Sequence, residues 1–432
     1  MRRRALIGAI VLAAAVGVGT SETPADAATR KASVFVAPNG SDARSCKRRG
    51  APCRTFNRAY RAARAGQVVQ VAGGRYPGQT IRAIRGRTGP RVVFRPAPRA
   101  RPVLGGLTFR GADFITVRGM RTAVKGSEPG RGNRHGIFVG PGSRYVKLRR
   151  MRAGSVSTWK ADHVVVRGGS YGPCHAVAGA SSVCGNSTID VSTNVTIAGA
   201  LFHDYRFDES CFSGGADCHW ECMYVNGSRN ITIKRSRFRD CALFDIFVTL
   251  SGPDAYNMGH RNLRIESNWF DTPWDESSPA GATRSRSTAL SLAWCTNSPR
   301  GYRNVLIRFN SFQRNTGLVT HRDPCVFEDV RAIGNLLAYS GSCEPRVKYR
   351  YNLWSRAIRR GKCHRTDRIG GRRFPYVSQR SGSRFNFHLR TRRTAAHNLV
   401  PRLAGCPRDI DWQRRPMQRR CDAGSDERRF RR

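Results

Sequence analysis

One feature of this chain constrains its fold more than any other, and that is a short strand motif that recurs along most of its length. Two copies read NVTIAGALFHD at 194–204 and NITIKRSRFRD at 230–240, with apolar residues at every second position. Such residues point to one side of a strand, and a single short strand cannot bury that side alone. The first apolar residue of each copy falls at Ile115, Val146, Val164, Val195, Ile231, Leu263, Val305, Val330 and Val347.

A turn position in the last four full copies is always asparagine. These residues are Asn268, Asn310, Asn335 and Asn352. Identical amides in register can hydrogen-bond to one another up a stack, which suits the inside of a turn in a parallel β-helix. A propeller or a sandwich has no need of such a ladder. The sequence therefore predicts an all-β fold, a right-handed parallel β-helix (a solenoid) of about 11 or 12 coils.

The two ends of the chain differ from the repeats. The N-terminus has a basic MRRR, an apolar ALIGAIVLAAAVGVG and a small-x-small site at 25–27, which is typical of a signal peptide, although a retained membrane anchor is the alternative. We expect a secreted, extracellular protein without a membrane span in its mature form. Its predicted parts are a signal peptide at 1–27, an N-terminal strand and helix cap with the first coils at 28–100, β-helix coils at 101–360, and an irregular C-terminal cap with a basic tail at 361–432.

Fourteen cysteines, an even number in an exported chain, predict disulfides. Sequence neighbours suggest five local pairs, and four cysteines remain as a group. The pairs are Cys46 with Cys53, Cys174 with Cys184, Cys295 with Cys325, Cys343 with Cys363, and Cys406 with Cys421, and the group is Cys211, Cys218, Cys222 and Cys241. Because CHWEC at 218–222 sets two thiols and a histidine close together, a zinc site is the alternative for the group.

The chain is strongly basic, with a formal net charge of +47. This favours a polyanionic partner such as an acidic polysaccharide. We find no specific nucleic-acid motif, and we expect a monomer. The competing interpretation is a coding bias toward arginine, because 68 of the 76 basic residues are arginine.

Several segments resemble secreted right-handed parallel β-helix proteins of the pectate-lyase-like superfamily. They are VFVAPNGSD, TFNRAYRAA, AGQVVQVAGGRYPGQTI, the repeated VxI strands and the closing DIDWQRRP…CDAGSDE, and together they cover nearly all of the mature chain. The N-terminal block is most similar to that of family 9-type polysaccharide lyases. The resemblance implies the β-helix fold, but the superfamily includes lyases, hydrolases, epimerases and proteins without known activity. The WIDH-type motif of many pectate lyases and the polygalacturonase motif set are absent, which leaves the reaction open.

Acidic residues are concentrated where the basic background is thinnest. Residues 203–276 hold 12 acidic and 8 basic residues. Such a cluster suits Ca²⁺-assisted β-elimination of a uronic-acid polysaccharide, in which a basic side chain removes the proton beside the uronate carboxylate. The same cluster would also suit a glycoside hydrolase, which uses two carboxyl groups. A third alternative is a non-catalytic β-helix that binds polyanions or cell walls and needs no catalytic residues. We predict the lyase.

The candidate site residues come from this acidic region. As catalytic residues we predict Asp217, His219, Glu221, Arg237 and Arg239, and His203 beside Asp204 is a further candidate base. As Ca²⁺ ligands we predict Asp204, Asp240 and Asp245.

A second strand precedes the motif strand in several coils and supplies predicted sugar-binding residues. Its outward side chains should place aromatic rings and carboxylates on one exposed face, in a row of Phe138, Asp190, Tyr224, Phe247 and Ser291. The row beside it is expected to hold Thr188, Cys222, Asp245 and Ala289. The predicted substrate-binding residues are Asp190, Tyr224, Asp245, Phe247 and Trp274.

Overall fold

The fold consists of short strands that stack coil upon coil into three parallel ladders. The structure, a computed structural model, describes residues 30–123, 136–176, 186–207, 221–241, 244–271, 288–292, 295, 298–313, 319–320, 325–337, 343–355, 362–370, 376–378, 385–390, 394–402, 405–416 and 419–427. The elements below belong to one compact unit, Ala32–Arg432.

The first ladder contains the repeated motif. Its strands are Val34–Val36, Val68–Val71, Val92–Pro96, Asp113–Arg118, Arg144–Ala153, Asp162–Tyr171, Thr193–Ala198, Arg229–Lys234, His260–Glu266, Tyr302–Arg308, Phe327–Ile333 and Val347–Arg350. These 12 strands bear out the predicted coil number in the described part of the chain. The nine motif residues are buried, and Ile231 pairs with Leu263, which pairs with Val305.

The second and third ladders follow the first in the coils between the two ends of the stack. The second ladder contains Gly74–Tyr76, Pro102–Leu104, Arg121–Thr122, Cys174–Ala176, Leu201–Phe207, Arg237–Cys241, Trp269–Asp271, Ser311–Phe312, Leu336–Leu337, Leu353–Trp354 and Arg368–Ile369, and it continues through the ends of two long strands of the first ladder. The third contains Gln79–Arg82, Leu107–Arg110, Ile137–Val139, Val156–Trp159, Ser187–Asp190, Met223–Asn226, Phe244–Thr249, Thr288–Leu292 and Val319–Thr320. The predicted parallel β-helix is therefore confirmed.

The predicted asparagine ladder is present and completely buried. The side-chain nitrogen of Asn310 donates to Oδ1 of Asn335 at 3.0 Å, and the backbone N–H of Asn310 donates to the same oxygen at 3.0 Å. Asn268 and Asn352 repeat these contacts with their own neighbours. Each amide thereby accepts a hydrogen bond from a buried N–H group of the turn. Without this partner, the buried N–H group would cost about 1–3 kcal/mol.

Among the described residues, two short helices accompany the strands. The helix Phe56–Ala62 begins after Thr55, whose side chain accepts a hydrogen bond from the Arg58 N–H at 3.1 Å, and it buries Phe56 against Phe94 with ring centroids 5.1 Å apart. The second helix is Pro253–Met258. No helix in the described residues is long and apolar enough to cross a membrane.

The C-terminal segment lies along the side of the coils. It includes the antiparallel pairs Tyr376–Ser378 with Asn386–Leu389 and Val400–Pro401 with Arg420–Cys421. Together with Trp269, Phe309, Leu336 and Leu353 it forms a second hydrophobic cluster outside the coil interior. The segment is therefore packed against outward-facing residues of the coils.

Candidate functional site

A polar cluster lies on the second ladder, on the strands Leu201–Phe207 and Arg237–Cys241. Stacked rings on the inside of the ladder fix the orientation of these strands, since Phe202 lies 5.2 Å from Phe238 and both are buried. Because side chains alternate along a strand, the next residues, His203 and Arg239, are turned away from the interior. The two are paired in register on adjacent coils.

His203 is held between a carboxylate and a hydroxyl group. Its Nδ1 lies 2.5 Å from Oδ2 of Asp204, and its Nε2 lies 2.8 Å from Oγ of Ser170 on the preceding coil. Because an ionised carboxylate can only accept, Nδ1 carries the proton and donates it to Asp204. In the neutral form of the ring, Nε2 has a lone pair that accepts from the Ser170 hydroxyl, and it is the nitrogen that can take up a proton.

Asp204 is kept ionised by its neighbours. The hydrogen bond from His203 lowers the pKa of Asp204 well below its ordinary value, and the positive charge of Arg239, 3.3 Å away, lowers this pKa further. Asp240, aligned with Asp204 on the next coil, also forms a hydrogen bond with it. A hydrogen bond between two carboxyl groups needs one proton, which this pair shares.

Arg237 has a different environment from Arg239, although the two residues are predicted for the same role. Its guanidinium carbon lies 4.2 Å from the ring centroid of Trp269 on the next coil. Burial lowers the pKa of Arg237, and the nearby carboxylate of Asp411 raises it.

Glu221 and Asp245 are both fully buried. Glu221 precedes the strand Met223–Asn226 and accepts a hydrogen bond from the side chain of Asn186 at 2.6 Å, while its own N–H donates to Oδ1 of Asn186 at 3.1 Å. Asp245 lies near the start of the strand Phe244–Thr249. The predicted Ca²⁺ ligands Asp204, Asp240 and Asp245 are not brought together, because the described residues contain no group of three ligand atoms within 4.8 Å of one another among these side chains.

The predicted sugar-binding face lies on the third ladder, but one residue of its predicted row is wrong, because Asp190 is not aligned with Tyr224. Asp190 is aligned with Trp159, Asn226 and Thr249, whereas Thr188 occupies the row of Tyr224. The cause is Ser187, a polar residue that faces the interior, is aligned with Met223 and bonds the Tyr205 hydroxyl at 2.8 Å. A pattern of apolar residues alone places this strand two residues out of register.

The side chains on this face range from exposed to buried. Trp159 is 41% exposed, and Lys160 beside it forms a 2.7 Å ion pair with Asp254. Asp190 accepts from Asn226 at 2.9 Å, and burial raises the pKa of Asp190.

The two predicted aromatic residues of this face are less accessible than Trp159. Burial raises the pKa of Tyr224 to about 12, and its ring centroid lies 5.8 Å from that of Phe247. Phe247 is itself only 4% exposed.

The cysteines are paired as predicted wherever both partners are described. Bonds join Cys46 to Cys53, Cys295 to Cys325, Cys343 to Cys363 and Cys406 to Cys421. Cys174 is also disulfide-bonded. A fifth bond joins Cys222 to Cys241, which removes Cys222 from the alternative zinc site. Five disulfides fit an extracellular protein.

Some predicted residues lie outside the described part of the chain. They are Asp217, His219 and Trp274, together with Cys184, Cys211 and Cys218. Conversely, sequence reasoning missed Ser170 and the exposed Trp159. Ser170 is 33 residues from His203, and only the stacking register places the two side chains together.

Comparisons with known proteins give distant likenesses in structure. No family model and no curated protein matches the chain. The pectate lyase Pel9A has a TM-score of 0.48 and 14% identity over 92% of this chain and 97% of its own. A mutant of the PL6-family alginate lyase AlyGC scores 0.34, with 12% identity over 74% and 53% of the two chains, and a rhamnogalacturonan lyase scores 0.28, with 12% identity over 81% and 91%. All three scores are below 0.5.

Proposed function

We propose that this protein is a secreted enzyme that cleaves an acidic, uronic-acid polysaccharide by β-elimination at the His203 cluster. The observation that carries the proposal is the position of His203 between Asp204 and Ser170. An unprotonated Nε2, oriented by a hydrogen bond from Nδ1 to an ionised carboxylate, is the arrangement of a general base. The arginine, the second carboxyl group and the hydroxyl beside it supply the other groups that an elimination needs.

The reaction can be written with the residues of this cluster. Arg239 pairs with the substrate carboxylate, which makes the hydrogen on the adjacent carbon more acidic. Nε2 of His203 removes that hydrogen as a proton, the electron pair forms a carbon–carbon double bond, and the bond to the glycosidic oxygen breaks. The departing oxygen takes the proton that Asp240 shares with Asp204, so that one unsaturated uronate end and one hydroxyl end are formed.

Calcium was predicted at Asp204, Asp240 and Asp245. These carboxylates have the oxygen ligands that Ca²⁺ prefers, but they do not converge within 4.8 Å, and Oδ2 of Asp204 is already bonded by His203 and Arg239. The three residues therefore do not fit a single ion in this arrangement, and the steps above are derived without one.

The hydrolase alternative is disfavoured for this cluster by its spacing. Glycosidases hold two carboxyl groups about 5–5.5 Å apart for retention or about 6.5–9.5 Å apart for inversion. Asp204 and Asp240 are in hydrogen-bonding contact, which leaves no room for a glycosidic bond between them. Asp217 with Glu221, and Asp240 with Asp245, are the other carboxyl pairs predicted for a hydrolase.

The roles of the remaining predicted residues are part of the proposal. Of the predicted substrate-binding residues, Asp190, Tyr224 and Trp274 are proposed to contact substrate, and the buried Asp245 and Phe247 are proposed to support them from below. The exposed ring of Trp159 extends that face toward earlier coils. Asp217, His219, Glu221 and Arg237 stay candidate catalytic residues. The net charge of +47 supports an anionic substrate, because long-range attraction raises its concentration at the surface.

The test is an assay of the purified protein on pectate, alginate and glycosaminoglycans, each with and without Ca²⁺. We expect ultraviolet absorbance from unsaturated uronate ends with at least one substrate. Reducing ends that form without this absorbance would show hydrolysis instead. Binding that falls steeply with salt, without turnover on any of the substrates, would establish the non-catalytic polyanion binder and overturn the proposal.

A further inference from the structure

A second histidine–aspartate cluster lies in the C-terminal segment, away from the acidic region of the sequence. One ligand atom from each of His388, Asp411 and Asp426 lies within 4.8 Å of the other two. Within the described residues these three form the only such group of histidine, cysteine and carboxylate side chains.

The orientation of the His388 ring directs one nitrogen toward the carboxylates. Oδ1 of Asn386 accepts the backbone N–H of His388 at 3.1 Å, which identifies this amide atom as the oxygen. The same oxygen bonds Nδ1 of His388, so Nδ1 must be the donor. In a neutral ring Nε2 then has a lone pair, yet it faces Oδ2 of Asp411 at 2.6 Å. Two acceptors at this distance repel each other, so either a second proton lies between them or both atoms turn toward a cation beside them.

Asp426 adds a buried carboxylate to the cluster. Asp426 is 5% exposed, and its Oδ2 accepts a hydrogen bond from the Leu389 N–H at 2.8 Å. That is its one hydrogen bond within the described part of the chain, so its second oxygen has no partner there. Asp426 forms no direct ion pair with His388, although their ligand atoms lie within 4.8 Å. A largely buried carboxylate is costly to keep ionised, and a bound cation offsets the cost.

Asp409 makes the surroundings more negative. It is fully buried, and its Oδ1 accepts the N–H groups of Asp411 at 3.0 Å and Gln413 at 2.7 Å. Its Oδ2 is buried without a hydrogen-bond partner among the described residues. The guanidinium of Arg415 is the buried positive group of this region. Four carboxylates, those of Asp409, Asp422, Asp426 and Glu427, therefore surround this one arginine in a chain that is otherwise strongly basic.

We propose that His388, Asp411 and Asp426 bind a divalent transition-metal ion such as Zn²⁺. An imidazole nitrogen with two carboxylates suits Zn²⁺, Co²⁺ or Mn²⁺, whereas Ca²⁺ takes oxygen ligands only. The bond from Nδ1 to Asn386 is the outer-shell contact that orients a metal-binding histidine. Because Asp411 is exposed, an ion has a path from solvent.

The ion would join three parts of the C-terminal segment along the side of the coils, residues 385–390, 405–416 and 419–427. His388 lies edge-on against Trp269, with centroids 4.9 Å apart, and Trp269 stacks on Arg237. The site would thereby stabilise the packing of this segment against the coil that follows the His203 cluster. It is a structural role, independent of the proposed reaction.

The test uses the full-length protein after treatment with a chelator. We expect about one equivalent of Zn²⁺ by equilibrium dialysis and metal analysis, a higher melting temperature with Zn²⁺, and visible absorption bands with Co²⁺. Asp411→Asn and His388→Gln should lose this equivalent and the temperature shift. Since Asp411 is exposed, its variant should keep the wild-type circular dichroism spectrum.

His163→Gln is the matched control. His163 also bonds an adjacent carboxylate, Asp162, at 2.7 Å, but no third ligand lies beside it in the described structure. This variant should bind Zn²⁺ as the wild type does. The proposal is overturned if wild-type protein binds no Zn²⁺, which would leave a protonated His388 paired with Asp411, or if the folded Asp411→Asn and His388→Gln variants bind it unchanged.

Discussion

His203 and His260 are located on neighbouring parts of the same solenoid and have opposite surroundings. His260 is fully buried, accepts the Ser228 N–H at Nδ1 and donates from Nε2 to the carbonyl oxygen of Thr249 at 2.8 Å. His203 is bonded by two side chains, Asp204 and Ser170, and its own side chain is 13% exposed. Both ring nitrogens of His260 are hydrogen-bonded to backbone groups, so its role is structural. Both ring nitrogens of His203 are bonded to side chains, so one of them can exchange a proton.

The largest expected difference between the two histidines is in catalysis. His203→Gln removes the proposed base and should lower turnover by about 10²–10⁴-fold, because general base catalysis contributes this much. The melting temperature should change little, since glutamine can still bond Asp204. Initial rates on the substrate found in the assay measure the effect. His163→Gln is again the control, and equal rates in wild type and His203→Gln would exclude His203 as the base.

His260 should instead control how stability depends on pH. Burial lowers its pKa from 6.5 to about 4. Because the unfolded chain takes up a proton near pH 6.5 and the folded chain does so only near pH 4, stability is lost as pH falls through this window. The loss from His260 approaches about 3 kcal/mol.

The measurement for His260 is urea unfolding at several pH values between 7 and 4. His260→Gln, whose amide can accept from Ser228 and donate to Thr249, should show a flatter dependence than the wild type. Identical curves for wild type and His260→Gln would mean that the histidine does not set the dependence.

Arg239 should have a smaller effect than His203, and mainly on substrate affinity. Arg239→Ala removes the cation that pairs with Asp204 and, as proposed, with the substrate carboxylate. We expect KM to rise by roughly 10-fold or more, since a charge-assisted hydrogen bond contributes about 1.5–3 kcal/mol. Arg239→Lys should recover part of the affinity. If kcat falls while KM is unchanged, Arg239 acts in the chemical step.

The sequence predicts the strands well because each strand carries its own alternation. Val305 and Ile307 face inward whatever their neighbours do, and the asparagine ladder needs only the same residue at the same turn. The cluster around His203 depends on which residues become lateral neighbours. The spacing between motif copies varies from 17 to 42 residues. Because the loop lengths vary, the sequence does not predict that Ser170 lies beside His203. Ser187 shows the same limit, because a serine facing inward has no apolar signal.

Arg237 gives the last and smallest contrast, because sequence reasoning assigned it the same role as Arg239. Its guanidinium stacks on Trp269, in contrast to Arg239, whose guanidinium bonds Asp204. Arg237→Ala should therefore leave kcat and KM within a few-fold of wild type and reduce stability by about 1 kcal/mol, the contribution of a cation–π contact with its packing. Chemical unfolding and initial rates on the same preparations test this pair of expectations. A loss of turnover as large as that of His203→Gln would mean that the stacked arginine, rather than the histidine cluster alone, takes part in the reaction.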